Sequence, residues 1–407
     1  MSRPSGAPLT PGQAPYAGVR VVELADDPAG EMLGLQLANL GADVVKLEPP
    51  DGSSSRQAGP FVDDVADPDR SLAYWYYNVG KRSVALDYAE LSAGAAFEAL
   101  LDDADILVSS LHPLQLAELG IDFDALAHAH PELIVVSITP FGLTGPWATR
   151  LSSDLVGLAA SGLLVMCGYD DHAIPPIRPG GNQAFHTAAS FAHQGAVLAL
   201  IERQRTGRGS LIDVSMHEAA AMTVELANMY WFYPRVLVQR QTCRHAQPVP
   251  TQPALFECVD GRYIYFVLIL ADPKPWRALV EWLDSAGMAT DLIDPAYDDL
   301  EFRQANFAHV QELLEVFFLT RTADAAFHDG QARSLPIGIL NAAEDLYQDE
   351  HLAQREFFEN IDQPGFGDVR YPSPPWRMST RRGGSRAPAP KLGEHTEQVL
   401  GKVADVR

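Results

Sequence analysis

The strongest constraint on this chain lies near its start, where a strand run, a helical period and a second strand run follow one another without a gap. Val19–Leu24 is a short, mostly apolar run of the kind a buried strand uses. Gly30–Leu40 carries helical periodicity that Gly41 stops, and Asp43–Glu48 is a second strand. Strand–helix–strand in so short a stretch implies parallel pairing through a right-handed crossover. The alternation continues with a strand at Ser83–Asp87, a helix at Leu91–Leu101, and strands at Ile106–Ser110 and Leu133–Thr139. This order predicts an α/β fold, a doubly wound, Rossmann-like sheet. Ligands of such sheets gather at the C-terminal ends of the strands, here Ala25–Ala29, Asp87–Ala89, Ser109–His112 and Thr139–Gly142.

Two long helices are expected next, at Asp154–Val165 and Ala184–Arg205, and then a last central strand at Ile212–Ser215. From about Leu226 the pattern changes. Thr251–Leu270 alternates aromatic and β-branched residues around Asp260–Gly261, a hairpin signal, and helices are expected at Pro273–Gly287 and Glu301–Leu319. The expected organisation is a mobile tail (1–16), a large domain (17–225), a smaller inserted α+β domain (226–335), and a return to the large domain (336–407). That return begins with a strand at Ile337–Asn341 and runs through an extended linker (383–391) to a helix at Glu394–Lys402.

Composition narrows the function. With 53 acidic against 30 basic residues the formal net charge is −23, a surface that repels phosphate backbones, so nucleic acid is not an expected partner. No stretch approaches the roughly 18 apolar residues of a membrane helix, and the first residues lack the apolar run of a signal peptide. The three cysteines form no CxxC pair, which suits a reducing cytoplasm. The first strand–helix turn, Asp26-Asp27-Pro28-Ala29-Gly30, is not GxGxxG, so the dinucleotide fingerprint is absent. A turn of small residues at a helix start still offers N–H groups to an anion. Arg56 and the Lys81–Arg82 pair read on their own as solvated surface, Arg205–Gly209 as a turn, and Ser152–Asp154 as a helix cap.

Taken together, Gly18–Glu48, NVGKRSVALDY (Asn78–Tyr88), SITPFGLTGPW (Ser137–Trp147), SDLVGLAASGLL (Ser153–Leu164), RTGRGSLIDVSMHEAA (Arg205–Ala220) and LGEHTEQVL (Leu392–Leu400) resemble, in order and spacing, the class III CoA-transferases of the CaiB/BaiF type. The resemblance runs from Val19 to Leu400. It implies interlocked homodimers, coenzyme A and acyl-CoA as substrates rather than permanent cofactors, and a carboxylic acid as acceptor. It places Asp27, Ala29 and Gly30 at the coenzyme, largely through backbone. Asp26 and Asp27 stand where the family is usually neutral or basic, so they meet a ribose or adenine or point away. Arg56 and Lys81 fall where the family carries phosphate partners. Leu86, Ser110, Leu111 and Leu119 fall around the adenosine end, with Ser109-Ser110-Leu111 in place of a frequent Glu-Asn-Phe.

The resemblance breaks where the family does its chemistry. Its nucleophilic aspartate, counted back from Arg205–Gly209, falls at Phe185, or at Ala184 with a one-residue gap, within QAFHTAAS (Gln183–Ser190). Neither side chain can attack a thioester. His186 is adjacent and could serve as nucleophile or as general base. Asp154, Asp170 and Asp171 are the other acids to consider. The related α-methylacyl-CoA racemases would need a histidine at Ser153 and an acid near Ala184, and both are missing. Three functions stay open: CoA transfer by an altered mechanism through His186, Asp154 or a loop acid, hydrolysis of an acyl-CoA with His186 as base, and a non-catalytic CoA-binding subunit paired with an active homologue.

Overall fold

The computed structural model describes residues 14–88, 91, 94–267, 273–379 and 386–404. The parts of the expected segments 1–16, Asp87–Ala89, Leu91–Leu101, Thr251–Leu270 and 383–391 that fall on other residues lie outside this description. The chain divides into two compact units, one of Met1–Leu164, Arg178–Leu226 and Gln354–Arg407, the other of Val165–Ile177 and Ala227–Ala353.

In the first unit, β1 (Arg20–Leu24), β2 (Asp43–Glu48), β3 (Arg82–Ala85), β4 (Ile106–Ser109), β5 (Ile134–Thr139) and β6 (Leu211–Ser215) form one six-stranded sheet in the order β3-β2-β1-β4-β5-β6. Every pair is parallel, for example Val22 beside Val45 and Leu107. The order reverses between β1 and β4, which opens a crevice beyond their C-terminal ends. The helices of this unit before the long one are α1 (Pro28–Asn39), α2 (Leu72–Asn78), α3 (Ala95–Asp102), α4 (Pro113–Glu118), α5 (Phe123–Ala129) and α6 (Asp154–Ala160).

Alternate strand residues feed two cores. Val21, Val44, Val108 and Val136 pack with α1 and with α7 (Gln183–Thr206), while Val22, Leu24, Val45 and Leu107 pack with α3, α4 and α5. One side of α7 is a line of buried alanines, Ala184, Ala188, Ala192, Ala196 and Ala199, which brings its backbone close to the sheet. The helix ends on Gly207 in the left-handed conformation, φ 69°. A side chain on Gly209 would put its Cβ 1.9 Å from the Leu133 carbonyl oxygen. The Arg205–Gly209 motif is therefore a stop and a close crossing, with no chemistry of its own.

The second unit has its own core, in which Trp276, Trp282, Phe317 and Phe318 surround a three-stranded antiparallel sheet. Its strands are Leu255–Glu257, Tyr263–Phe266 and Ile337–Ile339. Ile337–Ile339 pairs with Tyr263–Phe266, so it completes this sheet and does not return to the first unit as expected. The expected helix Glu301–Leu319 is two, Leu300–Ala305 and Phe307–Phe318, separated by Asn306. The expected helix Asp154–Val165 ends at Ala160, before Gly162 at φ +86°. At the edges of the expected tail and linker the chain is held. The Tyr16 hydroxyl meets His193 at 3.1 Å, and Ala387 accepts from the Gly80 N–H.

Candidate active site

At the crevice, α1 starts with its anion-binding amides already taken. Asp27 caps the helix, its Oδ1 accepting from the N–H groups of Ala29 (2.9 Å) and Gly30 (3.0 Å). The protein's own carboxylate thus occupies the place an incoming anion would use. Desolvation, helped by Glu31, pushes the Asp27 carboxyl up to about 7, against the N–H groups of Gly30 and Ala29 and the Ser110 hydroxyl that favour its charged form. Asp26 braces the neighbouring loop. Its Oδ1 accepts from the Ser54 N–H at 2.6 Å, and its own N–H donates to Ser110 Oγ at 3.2 Å. Gly30 permits this convergence, because a Cβ there would lie 2.6 Å from Ala25 Cβ. Leu86 and Leu111 are buried in the sheet-face core and Leu119 packs against it, while Ser110 is buried at the crevice.

Arg56 and Lys81 correct the sequence reading. Both are buried, and their donors point into the protein. Arg56 forks onto Glu48 (2.7 and 2.8 Å) and also meets Asp69, the Pro68 carbonyl and the Pro390 carbonyl, which engages its whole guanidinium edge. Lys81 pairs with Glu23 at 2.7 Å and donates to the Glu31 carbonyl and to Asn78. Lys46 joins them between Glu23 and Glu31. A Cβ at Gly34 of α1 would sit 1.7 Å from Glu23 Oε2, so the helix lies directly on this cluster. Neither cation has a donor left for a phosphate.

The start of α7 carries a second polar group. Asp154, at the first position of α6, is buried, and both its oxygens are engaged. Oδ1 accepts from the Ala184 N–H at 2.8 Å, while Oδ2 accepts from Arg178 Nε and Nη2 at 3.0 and 2.8 Å. It caps α7, whose own preceding residue, Asn182, makes no side-chain cap. Arg178 also reaches Asn182 Oδ1 at 3.4 Å, Asn182 Nδ2 donates to the Tyr77 hydroxyl oxygen at 3.0 Å, and that hydroxyl lies 2.8 Å from His186 Nε2. Burial lowers the pKa of His186, with Asp154 pulling the other way. Burial raises that of Tyr77, against the hydrogen bond from Asn182. Phe185 is partly buried and packs against the alanine-lined core. Asp170 lies in the second unit, engaged by Arg244 and Thr242.

The structure thus joins His186 to Asp154 through residues the sequence did not single out, Arg178, Asn182 and Tyr77. No spacing rule links a tyrosine ending α2 to an asparagine before α7. Only the packing of the two helices does. Among the described residues no group of three or more His, Cys, Asp or Glu side chains is placed to hold a metal ion, and no helix is long and apolar enough to cross a membrane.

A six-stranded parallel sheet with its crevice at the β1/β4 reversal, and a polar group at the start of an alanine-faced helix, define the class. The chain belongs to CoA-transferase family III, whose model matches residues 16–396. It is 33% identical to the succinyl-CoA:(R)-benzylsuccinate CoA-transferase subunit BbsE of Thauera aromatica, over 95% of this chain and 93% of that protein. It is 27% identical to the succinate–glutarate CoA-transferase of Agrobacterium fabrum, over 96% of each chain. Among solved structures it is similar to a CAIB/BAIF family protein from Brucella suis, with TM-score 0.83 and 26% identity, covering 96% of this chain and all of the other.

Proposed function

We propose that this chain works in the transfer of coenzyme A from succinyl-CoA to a second carboxylic acid, as the coenzyme-binding member of a pair whose homologous partner supplies the nucleophilic carboxylate. One observation carries the reading. At the start of α7 no carboxylate among the described residues is free to attack a thioester, because position 185 is a partly buried phenylalanine packed against the core and Asp154 is committed to Arg178 and the Ala184 N–H. Covalent catalysis needs an unencumbered nucleophile beside the bound acyl group. The donor and the class of acceptor are proposed from relatives named for succinyl-CoA or succinate and a dicarboxylic partner. The pairing is proposed from relatives named as subunits, including an alpha and a beta subunit from Chloroflexus aurantiacus. Interlocking of the two chains, as the family resemblance implies, is part of the same proposal.

Mass spectrometry of the purified chain incubated with a panel of acyl-CoAs, with and without carboxylate acceptors, tests it. The expected result is coenzyme binding without turnover by the chain alone, and new acyl-CoA once an aspartate-bearing homologue is co-purified. New acyl-CoA from the chain alone would place the chemistry on its own residues, and free coenzyme A without acceptor would make it a hydrolase. Phe185→Asp supplies a second arm. An aspartate in the first turn of α7 is favoured by the helix dipole, and transfer activity gained by this variant alone supports the proposal.

A further inference from the structure

We infer that Tyr77 is a positioning residue that fixes the ring of His186 as the Nδ1–H tautomer, so that His186 serves the site as a hydrogen-bond donor through Nδ1. The argument follows the direction of each hydrogen bond. Arg178 has only donors, so the Asn182 atom facing it must be the carbonyl oxygen, Oδ1. That turns the Asn182 amide nitrogen toward Tyr77, and the amide donates to the phenol oxygen at 3.0 Å. The Tyr77 hydroxyl has one further partner, His186 Nε2 at 2.8 Å, so its proton goes there. Nε2 must then be the bare nitrogen and Nδ1 must carry the hydrogen. Nδ1 makes no hydrogen bond among the described residues and is not one of the enclosed unpartnered atoms.

The electrostatics agree with this direction. Burial disfavours both phenolate and imidazolium here, so a neutral phenol donates to a neutral imidazole. The chain of donors starts at a cation, and successive bonds polarise one another toward the ring. Asp154 anchors the cation at the far end. The consequence is chemical. With Nε2 occupied, His186 is a poor base or nucleophile, whereas a fixed N–H beside the place of the missing aspartate suits a thioester carbonyl oxygen. The identity of that acceptor rests on the CoA-transfer reading, while the tautomer does not.

Nitrogen-15 NMR of the full chain labelled at histidine, with His186 assigned by difference from His186→Gln, tests the tautomer. The expected spectrum shows a protonated Nδ1 and a bare Nε2. Tyr77→Phe is expected to release this preference. Asn182→Asp keeps Tyr77 but puts an acceptor where its donor was, so the phenol proton turns to the carboxylate and the ring becomes the Nε2–H form. Aspartate also suits a helix cap, so this second variant is expected to fold. A protonated Nε2 in the unmodified chain, or a tautomer indifferent to both substitutions, overturns the inference. Calorimetry with succinyl-CoA and free coenzyme A tests the acceptor. The preference for the thioester should fall about fivefold in Tyr77→Phe, the loss of one hydrogen bond. An unchanged preference with the expected NMR overturns the thioester assignment alone, and failure to bind either ligand is instead the failure of the CoA-transfer reading.

Discussion

The first unit holds two polar clusters, and they differ in what they leave unspent. Beneath α1, Glu23, Glu31 and Glu48 meet Lys46, Lys81 and Arg56, three charges of each sign with fully enclosed side chains. At the start of α7, Asp154, Arg178, Asn182, Tyr77 and His186 form an open-ended line that runs from a half-exposed cation to a ring nitrogen with no hydrogen bond among the described residues. The first cluster balances its charges, although Glu31 Oε2 makes no hydrogen bond among the described residues, and it ties together β1, β2, α1, the Ser53–Arg56 loop and the chain at Pro390. The second ends in a donor that something else must meet. A closed network of buried charges is a device of architecture, and an open one is a candidate for binding.

The sharpest test of that contrast is Arg56→Met. Glu48 would lose its bidentate partner and remain a buried charge, which costs about 3–5 kcal/mol. The midpoint of denaturant unfolding of the first unit reads this. Paired replacement, Glu48→Gln with Arg56→Met, should recover part of the loss, because the uncompensated charge is gone. The pH dependence has a defined sign. Burial alone would raise the Glu48 carboxyl, but the hydrogen bonds from Arg56 and the charges of Lys46 and Arg56 outweigh it and hold it at about 2. A depressed carboxyl contributes stability that is present above its ordinary value near 4.5 and is lost as the pH falls through about 2. Arg56→Met should remove most of that acid limb. A loss under about 1 kcal/mol would mean the closed cluster contributes little.

Asp154→Asn tests the second cluster and should cost less. Asparagine keeps an acceptor for the Ala184 N–H, so the cap survives, while the pair with a cation 44% exposed is lost. About 1–2 kcal/mol is expected, between an exposed ion pair and a hydrogen bond to a charged group, read as a shift in the thermal midpoint. In the proposed pair with an aspartate-bearing homologue, turnover should fall by no more than about a hundredfold, the scale of a displaced positioning group. Loss of all turnover with the fold intact would return Asp154 to the role of nucleophile.

These differences also show what the sequence could reveal. The parallel sheet was legible because the runs of Val21–Leu24, Val44–Leu47 and Ile134–Ile138 are mostly apolar on both faces, with Glu23 and Lys46 the charged exceptions that pair with each other. The break at Asn306 and the partner of Ile337–Ile339 were not, since both are decided by packing within the second unit. At Phe185 the sequence alone shows a residue that is no acid, because one residue type dictates the chemistry expected there. Arg56 and Lys81 misled because a basic residue in a coenzyme-binding motif reads the same whether it faces a phosphate or a buried glutamate. Tyr77 was invisible for the opposite reason, since its role exists only once α2 lies against the start of α7.

The smallest expected effect belongs to Asp27, a carboxylate outside both clusters. It accepts backbone hydrogen bonds as a cap but has no ion pair among the described residues, and desolvation, with a smaller push from Glu31, raises its carboxyl to about 7 against the hydrogen bonds from Gly30, Ser110 and Ala29, where that of Glu48 is held down. A raised carboxyl favours the folded state fully below its ordinary value and withdraws that contribution as the pH climbs through the folded value. The stability of the natural protein relative to Asp27→Asn should therefore fall between about pH 4 and about pH 7. Asp27 is partly open to water, so screening leaves about 1 kcal/mol of the effect, a shift of roughly 2 °C in the difference of thermal midpoints. A difference that stays flat over this range would show that water already solvates the carboxylate. Asp27 would then be a plain helix cap, with ionic balance confined to the cluster beneath α1.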